Sequence, residues 1–132
     1  MSIIFNERRF KEMKLAVSCM GNSLSDALDE RFGRASNFII FDLANQSYQC
    51  LDNVQVLNAE QGAGIQAAQN LVNAGADIVI TGHVGPKAFR TLKEAGVDIY
   101  FARGITVQEA IEAFKQGKLE KAESNNVEGH WI

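Results

Sequence analysis

The sequence predicts an α/β fold built on a mixed, five-stranded sheet, and three observations lead there. Ile78-Val79-Ile80 is a short β-branched run with no polar alternation, the mark of a strand buried on both faces. Asn37 to Asp42 and Ser47 to Asp52 are two strand-like runs separated by the turn Ala44-Asn45-Gln46, a hairpin. From Gly62 onward, helical stripes alternate with strands, as right-handed crossovers require. The chain has 132 residues, enough for one domain with one core.

Taken in order, residues 1–13 read as an N-terminal extension, with Met13 a plausible natural start. Lys14-Leu15-Ala16-Val17-Ser18 is the first strand. Cys19 to Ala35 is a connection too long to be mere linkage in a compact domain. Its middle is expected to form a helical turn capped by Ser25. The hairpin follows, its second strand an edge whose alternation predicts half burial. Ile65, Ala68, Leu71 and Val72 then form one helical stripe stopping at Gly75. Ala88, Phe89, Leu92 and Ala95 form the next, with Pro86 suited to its first turn. Val97 to Phe101 is the fifth strand, and Thr106 caps a helix carrying Val107, Ala110, Ile111 and Phe114. The domain is bounded at 14–119, with 120–132 a flexible tail.

An antiparallel hairpin on one side of strand one and crossovers on the other imply the strand order 3-2-1-4-5. The loop after strand one then lies beside the turn Thr81-Gly82-His83-Val84-Gly85, beyond the carboxyl ends of adjacent strands, where open α/β sheets bind ligands. That crevice gathers Cys19, Asn22, Arg31, Arg34, Gly82, His83 and the helix start at Gly62 and Gly64. Arg31 and Arg34, three apart, converge on one ligand or form a salt-bridge cluster with Asp29. His83 is a metal ligand or a backbone partner in a tight turn. Cys19 is a thiolate ligand or a small buried hydrophobe; Met20 reads as a packing residue and Cys50 as structural.

Several classes are disfavoured. A net charge of −3 and a pI near 5.4 do not suit a general nucleic-acid binder. No apolar run approaches the ~20 residues of a membrane helix. Two cysteines make no disulfide framework, and without an export signal the expected compartment is the cytoplasm. No Cys/His spacing suits structural zinc. Gly62-Ala63-Gly64-Ile65-Gln66-Ala67 matches a dinucleotide fingerprint poorly, since no strand leads into it and no acid stands about 20 residues on. Asp42, Asp52, Asp77 and Asp98 form no converging set for two-metal chemistry. No nucleophile–base pair stands out, so no enzyme is expected.

Three stretches together resemble a known family. They are Asp29-Glu30-Arg31-Phe32-Gly33-Arg34-Ala35 with Phe38 and Asp42, Gly62-Ala63-Gly64-Ile65-Gln66-Ala67-Ala68, and Thr81-Gly82-His83-Val84-Gly85-Pro86-Lys87-Ala88-Phe89. In this order they are similar to the dinitrogenase iron–molybdenum cofactor biosynthesis family of the NifX and NifB carboxyl-terminal type, over roughly Lys14 to Leu119. The resemblance implies a three-layer ribonuclease-H-like fold and a role in carrying or inserting metal–sulfur clusters. Its orange-protein branch implies a molybdenum–copper–sulfide cluster held without covalent attachment. It further implies partners that donate or accept clusters, with no part for nucleic acid or membranes. Such a cluster is an anion of sulfide and metal, suited by positive charge, free N–H groups and a soft or imidazole ligand. The alternative is a nucleotide or small-anion sensing module acting through a protein partner; a third is a bare interaction domain.

Overall fold

The computed structural model describes residues 12–53 and 62–124. Strands β1 (Lys14–Cys19), β2 (Asn37–Asp42) and β3 (Ser47–Asp52) are followed by helix α1 (Ala63–Asn73), β4 (Ile78–Thr81), α2 (Pro86–Glu94), β5 (Asp98–Phe101), α3 (Val107–Lys115) and β6 (Glu120–Lys121). They form one sheet of order β3-β2-β1-β4-β5-β6. The hairpin strands run antiparallel to their neighbours, while β4 lies parallel to both β1 and β5.

The period-2 alternation of strands divides the core between two faces. Ala16, Phe38, Ile40, Val79 and Ile99 face one side, where Ala67, Ala68 and Leu71 of α1 and Ala88 and Leu92 of α2 cover them. Leu15, Val17, Ile39, Phe41, Ile78 and Ile80 face the other, under Val107, Ala110, Ile111 and Phe114 of α3. Three layers result. β4 is buried along its whole length, as its unbroken apolar run predicts.

The expected five strands become six. Glu120–Lys121, read from the sequence as the start of a loose tail, pairs antiparallel with β5. Ala122 follows it into the core, and its N–H donates to the Ile99 carbonyl at 2.8 Å. Two polar residues carry no apolar period, so their pairing comes from the open edge of β5 rather than from local pattern. At the other boundary, Met13, grouped with the extension from the sequence, packs against the α3-side core, and its carbonyl accepts from the Leu43 N–H. β3 is an edge, as expected, but only Leu51 packs against the core; the rest of the strand is exposed except for the covered face of Leu51. The half burial inferred from alternation fails because the helices stand over the central strands.

The helical turn expected at Ser25 does not form. The Asp26 carboxylate instead accepts from the N–H of Asn22 at 2.8 Å, the N–H of Ser23 at 3.0 Å and the Ser23 hydroxyl at 3.1 Å. An acidic side chain folding back on the preceding N–H groups competes with helix in this way. Among the described residues, no helix is long and apolar enough to cross a membrane.

Candidate functional site

The crevice forms where the long connection between β1 and β2 is laced to the turn after β4. Its foundation is polar and buried. The Ser18 hydroxyl, at the end of β1, donates to the Asp29 carbonyl and contacts the Thr81 hydroxyl at 2.8 Å. The Asp29 N–H donates to the Ser18 carbonyl. Above this, the His83 N–H donates to the Glu30 carbonyl at 2.6 Å, and the Phe32 N–H donates to the His83 carbonyl at 3.2 Å. Arg31 and His83 are thereby bridged as in a short parallel ladder. The sequence-predicted neighbourhood of these two segments is therefore real.

Glycine makes the close approach possible at Gly82. A Cβ there would lie 2.7 Å from the Glu30 Cβ and 2.9 Å from its Cα. Gly33 and Gly64 act as a second such pair, since a Cβ on Gly33 would stand 2.9 Å from the Gly64 backbone. Gly64 also abuts the Ala88 methyl. These contacts explain Gly64 by packing, and they set Gly33-Arg34 against the first turn of α1. Gly62 is the N-cap of α1, at φ 88°, a left-handed value that favours glycine.

Charge is arranged around this frame. Asp29, 3% exposed, accepts from the Arg31 N–H at 3.0 Å and from the Arg31 guanidinium at 3.3 and 3.4 Å. The Arg31 side chain is nonetheless 63% exposed and presents its free edge outward. Arg34 is exposed and has no ion-pair partner among the described residues. The Asp29–Arg31 part of the expected salt-bridge cluster is therefore present, and Arg34 takes no part in it. Among the described residues, neither α1 nor α2 has a side-chain cap or an acid in its first turn, whereas α3 carries a full capping box of Thr106 and Glu109. Among the described residues, no side chain compensates the leading N–H groups and positive dipole ends of these two helices.

His83 is partly open, its side chain 40% exposed. Its Nε2 lies 3.9 Å from Glu30 Oε1, and its Nδ1 lies 3.5 Å from Arg103 Nη2. Arg103 itself donates to the Gly82 carbonyl through Nε and Nη2 at 3.4 and 3.2 Å. Glu30 Oε2 accepts from the Gly104 N–H at 3.2 Å. Sequence reasoning missed Glu30 and Arg103 as site residues. The signal for Arg103 was present: it follows the carboxyl end of β5, the strand next to β4, so the rule that pointed to His83 points equally to it.

Two further expected residues have other roles shown by the structure. Cys19 is fully buried on the α3 side of the sheet, its thiol directed to the Ser23 carbonyl at 3.8 Å. Burial pushes its pKa up, keeping it a thiol at neutral pH. Asn22 is engaged through its backbone in the Asp26 turn. Met20, expected to pack, is 60% exposed. Cys50 is exposed on the edge strand. His130 lies outside the described residues. Among the described residues no group of three or more His, Cys, Asp or Glu side chains is placed to hold a metal ion.

Comparison with known proteins places this architecture. Residues 13–117 match the family described as dinitrogenase iron-molybdenum cofactor, and the chain belongs to that family. It is similar to the apo orange protein of Desulfovibrio gigas, at 38% identity and a TM-score of 0.83, covering 88% of this chain and 98% of that one. It is also similar to a putative NifB protein from Thermotoga, at 39% identity and a TM-score of 0.77, covering 89% and 99% respectively. An uncharacterized protein of Methanocaldococcus jannaschii is 33% identical over 118 residues, 87% of this chain and 96% of its own length.

Proposed function

We propose that this protein is a cytoplasmic carrier that captures an anionic molybdenum-containing metal–sulfur cluster, of Mo/Fe or Mo/Cu type, and passes it between protein partners without catalysing a reaction. Membership of the cofactor family and likeness to the orange protein support a cofactor-related role. One observation supports the binding mode: exposed Arg31 and Arg103 lie beside one accessible imidazole, His83, and exposed Arg34 follows three residues after Arg31. This donor set fits an anion held by charge and N–H groups with at most one protein–metal bond. Such a site releases its cargo more readily than a closed cage of thiolates. Cys19 contributes packing in this reading, since its thiol is buried and protonated. The layer order, extended by β6, is read as a ribonuclease-H-like arrangement.

The test is anaerobic titration of the apo protein with tetrathiomolybdate, with and without copper, followed by absorbance. Saturation near one cluster per chain is expected, weakened by His83→Ala and unchanged by Cys19→Ser. No saturable binding overturns the reading. The uncapped starts of α1 and α2 also suit phosphate, which keeps a small-anion sensor as the second reading. Tight nucleotide binding with no thiomolybdate binding would establish it.

A further inference from the structure

Glu30 and Arg103 flank the two nitrogens of one imidazole with opposite charges, and the function proposed above does not use that asymmetry. The Glu30 carboxylate faces Nε2 at 3.9 Å, and the Arg103 guanidinium faces Nδ1 at 3.5 Å. Each is anchored independently of His83, Glu30 by the Gly104 N–H and Arg103 by the Gly82 carbonyl. In neutral histidine a carboxylate favours the proton on the nitrogen it faces, and a cation disfavours a proton on the other.

We infer that Glu30 is a positioning residue that holds neutral His83 as the Nε2–H tautomer, that Nδ1 is the metal-facing nitrogen, and that Arg103 is a third anion-binding cation beside it. The metal-ligand part rests on the carrier reading; the tautomer part does not. The arrangement follows a general rule of metal sites, in which a ligating histidine gives its other N–H to a carboxylate that fixes ring and tautomer. Nδ1 offers its lone pair to a metal of the cluster. For that, Arg103 Nη2 would give up its 3.5 Å contact with Nδ1, and the guanidinium, still held by the Gly82 carbonyl, would face the sulfide of the cluster. Gly82 serves this by letting the Glu30 backbone sit against the turn.

Two measurements test the inference. The first uses the full-length apo protein, labelled with 15N, and reads both ring nitrogens of His83 by long-range 1H–15N correlation at a pH where the ring is neutral. His83→Ala assigns the signals against those of His130. Essentially pure Nε2–H tautomer is expected, becoming a mixture in Glu30→Ala. A dominant Nδ1–H form, or a tautomer ratio unmoved by Glu30→Ala, overturns the positioning role. The second measures tetrathiomolybdate–copper affinity. Glu30→Ala is expected to weaken it about 10- to 100-fold, and Glu30→Ala with His83→Ala to be no weaker than His83→Ala alone, because Glu30 acts through the ring. Arg103→Ala should weaken binding further on the His83→Ala background, with Arg103→Lys recovering part of the loss. Additive Glu30 and His83 effects, or an unaffected Arg103→Ala, overturn the corresponding role. Wild-type protein that shows the Nε2–H tautomer but binds no thiomolybdate removes the carrier reading and the metal-ligand assignment, leaving the positioning role standing.

Discussion

Asp29 and Arg34 lie five residues apart and answer to different forces. Asp29 is a buried carboxylate whose hydrogen bonds hold the long connection in shape, while Arg34 is exposed and has no ion-pair partner among the described residues. Asp29→Ala is expected to cost about 1–3 kcal/mol, since it removes charge-assisted hydrogen bonds from Arg31 to a buried carboxylate; urea unfolding reads it. Arg34→Ala is expected to leave the urea midpoint within error and to weaken thiomolybdate binding. The reverse pattern would show that Arg34 is structural and would remove it from the anion rim. The cysteines separate in the same way. Cys50 is exposed and Cys19 buried, so native protein should show one reactive thiol toward Ellman's reagent and a second only on unfolding. Cys50→Ser should abolish the native reaction. Both thiols have raised pKa values, Cys19 by burial and Cys50 by burial and the neighbouring Asp52 carboxylate, so the native rate should climb with pH beyond the ordinary thiol range.

At the scale of elements, termini and turns decide what the apolar stripes leave open. α3 starts on a reciprocal box, with the Thr106 hydroxyl accepting from the Glu109 N–H at 3.1 Å and the Glu109 carboxylate accepting from the Thr106 N–H at 2.9 Å. Thr106→Ala should lower stability by about 1 kcal/mol, measured by thermal or urea unfolding. In the loop, backbone hydrogen bonds from Asn22 and Ser23 hold the Asp26 carboxyl below its usual range. A depressed folded pKa contributes stability above the unfolded value, lost as pH falls through the folded one. Asp26→Asn should therefore be less stable than the wild type at pH 7. The difference should shrink below the ordinary carboxylate value of about 4; a gap that persists at acid pH would assign the effect to something other than ionisation.

Over the whole molecule, charge is unevenly spread. The chain carries a net charge of −3, yet two exposed arginines distant in sequence, Arg31 and Arg103, both lie beside His83. A cluster held there by charge should bind more weakly as salt rises, because exposed interactions are screened over about 10 Å at 0.1 M. Affinity measured between 0.05 and roughly 0.5 M salt should fall steadily in the wild type and less in Arg31→Ala/Arg34→Ala. A salt-independent affinity would mean that coordination or packing, not electrostatics, does the holding.

The layers, the central strands, the three long helices and the order of β3 to β5 were all legible in the sequence, because apolar periods of 2 and 3.6 report which face is buried. So was the meeting of the long connection with the turn after β4, because the carboxyl ends of parallel strands follow from strand order alone. Tertiary structure alone decided the rest. The pairing of Glu120–Lys121 depends on an open neighbouring edge, which a two-residue polar segment does not announce. The burial of Cys19 depends on the parity of β1 and on what covers its α3 side. The company of His83 depends on backbone contacts across 53 residues, from Glu30 to His83, and on a third loop bearing Arg103. Local sequence encodes which surface of an element is apolar; which polar groups meet at its ends is fixed by distances between chain segments, and those exist only once the sheet is assembled.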